Sequence, residues 1–317
     1  MRILLIKTSS MGDVIHNLPV VSDIVTRYPD AQIDWVVEEN FAEIPRLHRR
    51  VQRVIPVALR RWRKALFAGG TWSEIGEFHR ALRRENYDFV IDTQGLLKSA
   101  LITFATRGRR CGYTAASARE SLATVAYDQR FAVATTLHAV ERNRALVAQV
   151  LGGAVDKPLN YDIASPSVAD ETRATAVLLT ATSRDDKLWP EECWIALGCH
   201  LNARGLICQL PGGSAIERER ATRLAQQIPN AIALPAQDLT ALAQVLSSAE
   251  IVVGVDTGLV HLAAALGRPT LAIYCASEPK LTGVLAATPF VNLGSSSHAP
   301  SAIEVIAATD GLLGVAH

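Results

Sequence analysis

Apolar residues fall into short unbroken runs, separated by stretches with helical spacing. RILLI at 2–6 is an apolar run behind Arg2, which predicts a strand covered on both faces. Over 13–27, Val14, Leu18, Val21, Ile24 and Val25 share one side, which predicts a helix, with Pro19 as a kink in its first turns. QIDWVV (32–37) and VQRVIPVAL (51–59) read as strands, and TWSEIGEFHRALRREN (71–86) as an amphipathic helix. YDFVIDTQG (87–95) is a strand with a polar end, and LLKSALITFATR the helix after it. This alternation predicts a parallel sheet with helices on both faces.

The pattern fades in LGGAVDKPLNYDIASPS (151–167), which reads as a linker, and then restarts. TAVLLTA (175–181), LICQL (206–210), AIAL (231–234), IVVGV (251–255) and TLAIYC (270–275) are expected strands. WPEECWIALGCHLNARG (189–205), ERERATRLAQQI, LTALAQVLSSA and TGLVHLAAALG (257–267) are expected helices. SAIEVIAATDGLL (301–313) closes the chain as a helix that could pack back on the first domain. Two α/β halves, 1–160 and 161–317, predict two domains with a cleft between them.

Composition agrees with a well-packed soluble protein: 49% of residues are hydrophobic and 20% charged. Five cysteines, an odd number with no C-x-x-C pair, predict reduced cytoplasmic thiols and neither a disulfide framework nor a zinc site. No signal peptide is expected, since the first strand begins at once, and GLVHLAAALGRPTLAIYCA is too interrupted to span a bilayer. The net charge of +1 hides an asymmetry. Residues 1–160 carry 23 Lys and Arg against 16 Asp and Glu, and the remainder carry 9 against 15. A basic first half points to an anionic partner there, although drift in surface composition gives the same count.

Candidate chemistry sits where strands run into helices, the usual ligand side of open α/β sheets. In SSMGDV, Gly12 allows a close approach or positive φ, and Asp13 is either a helix N-cap or a carboxylate base. In VDTGLVH (255–261), exposed N–H groups at the helix start suit a phosphate, with Thr257 as a hydroxyl donor; Asp256 could equally be a cap. His261 lies one turn on, where a lone histidine is most often structural. In TATSRDDKLWP (180–190), Thr182, Ser183 and Lys187 could grip a phosphate. The adjacent Asp185 and Asp186 do not define a metal site. In LPGGSAIERER (210–220), Glu217 could accept from ribose hydroxyls or simply favour the helix dipole. These glycines match neither G-x-G-x-x-G nor a P-loop, which disfavours a nicotinamide enzyme or P-loop kinase. The cluster RRWRK (60–64), with Arg119 and Lys7, fits phosphate or carboxylate groups or a solvated face. No nucleic-acid-reading motif accompanies it.

Taken in order, KTSSMGDVIHNLP, DWVVEE, RVIPVALRRWRK, DTQGLLKSA, HAVERNR, TATSRDDKLWP, LPGGSAIERER and VDTGLVHLAAALGRPT resemble the lipopolysaccharide heptosyltransferases of glycosyltransferase family 9 over essentially the whole chain. SSMGDV with RVIPVALRRWRK is similar to the heptosyltransferase I branch. The resemblance implies a GT-B architecture, two Rossmann-like α/β/α domains facing a central cleft. It implies ADP-L-glycero-β-D-manno-heptose as donor, the inner Kdo of Kdo2-lipid A as acceptor, and peripheral contact with the cytoplasmic face of the inner membrane. No cofactor and no metal are implied. Asp13 would be the catalytic base of an inverting transfer. Thr182, Ser183, Lys187, Glu217, Asp256, Thr257, Gly258, Leu259 and His261 would form the donor site. Ser10, Gly12, Arg60, Arg61, Arg63, Lys64 and Arg119 would serve the acceptor. Two departures bear on donor choice: Cys275-Ala-Ser-Glu-Pro279 stands where Gly-x-Thr-Asp-Pro is common, and Ser183 where a second threonine is usual. A sibling enzyme with another donor or acceptor, or a binding protein without turnover, would share most of these features.

Overall fold

The computed structural model describes residues 1–65, 67–163, 174–182 and 184–315. The chain divides into two compact units, Met1–Asp162 and Ile163–His317. In the first, six parallel strands lie in the order β3-β2-β1-β4-β5-β6. They are β1 (Arg2–Ile6), β2 (Gln32–Glu38), β3 (Val51–Val57), β4 (Tyr87–Asp92), β5 (Gly108–Tyr113) and β6 (Gln129–Phe131). The connecting helices are α1 (Met11–Ile15), α2 (Leu18–Arg27), α3 (Glu43–Leu47), α4 (Leu59–Trp62), α5 (Gly69–Leu82), α6 (Leu97–Ala105) and α7 (Ala139–Val150). The second unit repeats the plan in the order β12-β11-β10-β7-β8-β9. Its strands are β7 (Thr175–Leu179), β8 (Ile207–Leu210), β9 (Ile232–Ala233), β10 (Ile251–Val255), β11 (Thr270–Tyr274) and β12 (Phe290–Gly294). Its helices are α8 (Glu191–Ala203), α9 (Ala215–Ala225), α10 (Leu239–Ser248), α11 (Gly258–Ala265) and α12 (Ala302–Val315).

Each sheet reverses direction of build between its first and fourth strands, β1 beside β4 and β7 beside β10. In a doubly wound sheet this switch point opens a crevice at the strands' carboxyl ends. The central strands have apolar interiors because helices cover both faces: Ile3, Leu4, Leu5 and Ile6 are fully buried, as are Val252, Val253 and Val255. The second core centres on Trp189 and Trp194, edge to face with ring centroids 5.0 Å apart. Helix α12 packs on α8 and adds Val305, Leu312 and Leu313 to that core.

The helix expected over 13–27 is two helices. Asn17 takes the N-cap position of α2 without a side-chain capping bond, and Pro19 sits in its first turn, where the missing N–H costs nothing. Pro190 precedes α8 as its N-cap. Strands β5, β6 and β12 and helix α7 lie outside the expected elements. Among the described residues, no helix is long and apolar enough to cross a membrane.

Gly254 lets α11 settle onto β10. A Cβ there would stand 2.5 Å from Val260 Cγ1 and 2.7 Å from Leu179 Cβ, closer than carbons approach. Gly254→Ala is expected to destabilise the second domain by about 1–3 kcal/mol, the usual cost of overpacking a filled core. Urea unfolding followed by tryptophan fluorescence measures this, and an unchanged midpoint would show that α11 shifts freely.

Candidate active site

In the first domain the loop after β1 is held by the loop after β4 and by α7. Lys7 is buried, and its Nζ donates to the Thr93 carbonyl at 2.9 Å and to Asn143 Oδ1 at 3.4 Å. Gln94 Oε1 accepts from the backbone N–H groups of Thr8 and Ser9 at 3.0 and 3.3 Å. Gln94 and Gly95 in turn donate from their backbone to Asp92 Oδ1, whose other oxygen accepts from Ser99 and Tyr127 at 2.7 Å each. Burial pushes the Asp92 carboxyl up, against the pull of these donors.

This frame presents Asp13. The N-cap of α1 is Ser10, not Asp13. Asp13 reaches back from inside the helix, so Oδ2 accepts from Ser10 N at 3.1 Å and from Ser10 Oγ at 3.2 Å. Oδ1 accepts from Arg119 at 3.0 Å. Gly12 lies inside α1 and is absent from the positive-φ glycines, so its expected left-handed role does not arise. Burial alone would raise the Asp13 carboxyl. The charges of Lys7 and Arg119 and the bonds from Ser10 and Arg119 outweigh it and hold the group below its ordinary value. Burial also lowers Lys7 to about 8, partly offset by Asp13. A carboxylate offers about four lone-pair directions; these bonds occupy three, and Oδ1 keeps one open. Arg142 borders the same small pocket as Lys7 and Arg119, with its Nε buried and without a hydrogen-bond partner.

The expected acceptor cations divide by environment. Arg61 bridges Glu39 and Glu74, and Trp62 is buried with its Nε1 on Glu74 at 2.7 Å. Arg61 is therefore tied into the fold. Arg60 lies over the Phe41 ring at 5.6 Å, while Arg63 and Lys64 are exposed. Arg119 is drawn to Asp13 across 106 positions of sequence.

In the second domain the loops after β7, β10 and β11 converge on one carboxylate. Lys187 Nζ donates to Asp256 Oδ2 at 2.6 Å, and Ser277 Oγ donates to the same oxygen at 2.7 Å. Thr182 Oγ1 donates to the Asp256 carbonyl at 3.0 Å. Thr257, not Asp256, is the N-cap of α11, and its side chain makes no capping bond. Gly258 and Leu259 are half-buried at the open helix start, whereas His261 is buried. Glu217 closes a capping box: Oε2 accepts from Gly213 N and Ser214 N at 2.8 and 2.9 Å. That is the structural reading of this residue, and Oε1 is not used in it. Gly212 permits this turn, since a Cβ would stand 2.7 Å from Arg218 N. Ser183 lies outside the described residues. Asp186 pairs with Arg184. Among the described residues no three His, Cys, Asp or Glu side chains are grouped to hold a metal.

Asp92, Gln94, Asn143 and Ser277 escaped the candidate set, and Lys7 entered it only as one member of a cationic cluster. Each acts through a partner distant in sequence. The local hint for Gln94 and Ser277 was a place just after a strand, as in DTQG, whereas Asn143 lies within α7.

The description glycosyltransferase family 9 (heptosyltransferase) matches residues 75–305. The chain is 47% identical over 290 residues to lipopolysaccharide heptosyltransferase 1 of Escherichia coli, an alignment covering 89% of this chain and 90% of the relative. It is 46% identical over 303 residues to the protein of that name from Pseudomonas aeruginosa, covering 93% and 84%. Its structure resembles E. coli heptosyltransferase WaaC with ADP at a TM-score of 0.94 and 42% identity, covering 98% of this chain and all of that one (100%). It resembles WaaC with ADP-2-deoxy-2-fluoro heptose at a TM-score of 0.91 with 42% identity, covering 98% and 99%. The fold extends to E. coli ADP-heptose LPS heptosyltransferase II, with a TM-score of 0.77 at 22% identity, covering 99% of each chain. Both sheets share the strand order of Rossmann-like domains in a GT-B-like fold, and the chain belongs to glycosyltransferase family 9, the heptosyltransferases.

Proposed function

We propose that this chain transfers L-glycero-D-manno-heptose from ADP-heptose to the inner Kdo of Kdo2-lipid A, with inversion and without a metal, at the cytoplasmic face of the inner membrane. The observation that carries the reading is Asp13: an ionised carboxylate at the β1/β4 switch point, flanked by cations, with one lone pair open on Oδ1. The relatives named above support the donor and the reaction class.

The acceptor hydroxyl would donate to Oδ1. A carboxyl held below its ordinary value is a weak resting base. The hydroxyl proton becomes acidic only as the bond to the anomeric carbon forms, so the transfer occurs within the transition state. Arg119 and Arg142 would hold the acceptor's anionic groups, and the exposed Arg60, Arg63 and Lys64 would draw them in. The second domain would supply leaving-group stabilisation. Lys187 would meet the diphosphate, and the N–H groups at Thr257, Gly258 and Leu259 would face the charge that develops on ADP. Glu217 Oε1 would reach the ribose hydroxyls. Transfer requires the donor so held to be presented to the hydroxyl on Asp13.

Asp13→Asn keeps the shape and removes the base. It is expected to lower kcat by roughly 10²–10⁴-fold with little change in donor affinity, measured as ADP release with ADP-heptose and Kdo2-lipid A. Wild-type turnover would remove Asp13 from the chemistry.

The pH profile follows from the same pair. Lys7 is an ammonium below about 8 and neutral above it, so kcat/KM is expected to fall as pH rises through about 8. Asp13 stays ionised down to below its ordinary value, so no acid limb is expected between about pH 5 and 7. A flat profile through pH 9 would exclude Lys7 from this role.

Lys187→Ala, assayed with EDTA present, is expected to weaken donor binding and lower kcat/KM by tenfold or more, since a charge-assisted contact of about 1.5–3 kcal/mol is lost. Unchanged kcat/KM would take Lys187 out of the donor site.

A further inference from the structure

The first domain carries an apolar face that its core does not use. On α6, Leu97, Leu101 and Phe104 stand at i, i+4 and i+7, so they share one side. Beside that stripe, Ala100 is buried against Ala123 and Ala126 of the short helical turn Ser121–Ala126 and against Tyr127 just after it. That turn presents Leu122 and Val125 outward. Leu101, Phe104, Leu122 and Val125 are between 66 and 75% exposed. Large apolar side chains scattered singly on a surface mean little, but five on two packed neighbouring elements form a patch.

Its surroundings are basic. Residues 96–131 hold six Lys and Arg and two Asp and Glu. Both acids are engaged locally: Asp128 accepts from Arg110, and Glu120 from the Leu97 backbone. The Arg110 guanidinium lies 5.3 Å from the Phe104 ring centroid, and Arg130 is pinned to the Thr124 carbonyl at 3.0 Å. Arg107, Arg109 and Arg130 are exposed. An apolar face rimmed by cations matches the boundary of an anionic bilayer, with apolar side chains among the acyl chains and guanidinium groups at the headgroups. A second copy fits it poorly, because two basic rims would be apposed.

We propose that α6 and the Ser121–Ala126 turn form a docking face for a membrane surface rich in anionic phospholipid. The face is continuous with the loop that presents Asp13: Lys98 of α6 donates to Ser9 Oγ at 2.6 Å, and Arg119, just before the turn, reaches Asp13. Docking there would bring a lipid-anchored acceptor up to Asp13. That link rests on the proposed function, whereas membrane binding itself does not.

The test uses the full chain and sedimentation with vesicles of phosphatidylcholine alone or mixed with phosphatidylglycerol. The protein is expected to partition onto the mixed vesicles and to be weakened by salt. Leu101→Glu with Phe104→Glu is expected to reduce partitioning at least tenfold, and Leu122→Ser with Val125→Ser several-fold. Arg107→Glu with Arg130→Glu should lower it only on the phosphatidylglycerol vesicles. All three should keep the wild-type circular dichroism spectrum and turnover on an acceptor stripped of its acyl chains. Wild-type partitioning by the Leu101/Phe104 variant would overturn the proposal. So would a concentration-dependent dimer that the variant abolishes. Intact vesicle binding without heptosyl transfer would instead overturn the proposed function and leave the docking face standing.

Discussion

The first domain's site depends on keeping a lysine charged where water cannot reach it. Lys7 follows the buried apolar run Ile3–Ile6 and is itself buried. A desolvated ammonium persists only with compensation close by. Here the Thr93 carbonyl, Asn143 and the field of Asp13 supply it. The dependence is mutual, because Lys7 is foremost among the charges that keep Asp13 ionised despite its own burial. Much of the loop architecture then follows. Gln94 clamps residues 8 and 9, Asp92 orders the loop carrying Gln94, and α7 supplies Asn143. The parallel sheet makes this possible by ending β1 and β4 side by side with their carboxyl ends in register, Ile6 opposite Asp92.

The second domain repeats this plan around a different set of side chains. Its switch point again gathers loops from adjacent strands, but the central group is a carboxylate partnered by a half-buried lysine and a serine. The division of labour matches the charge asymmetry of the two halves. One half concentrates cations around an acid, and the other offers helix-start N–H groups and a single lysine.

Much of this was legible in the sequence because the fold writes its sites at strand ends. The transitions RILLI to SSMGDV and IVVGV to DTGLVH announce a buried strand, a tight loop and a helix start, and both loops lie at the switch points of their sheets. The assignment of Asp13 and Asp256 as N-caps was misplaced by three residues and by one. Capping preference names a residue type near a helix start, and Ser10 and Thr257 are as eligible as either aspartate. Strand β5 was hidden because GRRCGY carries two glycines, which have low strand preference, and it is held by pairing with β4 and β6 instead. Ser277 stood in plain view as a departure from a common pattern. Its bond to Asp256, 21 positions away, exists only once β10 and β11 are paired.

Lys187 and Asp256 form a half-buried ion pair. On the proposed function, a donor diphosphate would compete with that carboxylate for the ammonium, which would temper its affinity. The same competition would favour departure of the spent nucleotide once the sugar has gone, because Asp256 would reclaim Lys187 as the phosphates leave. A self-closing clasp of this kind would trade tight grip for resistance to product inhibition.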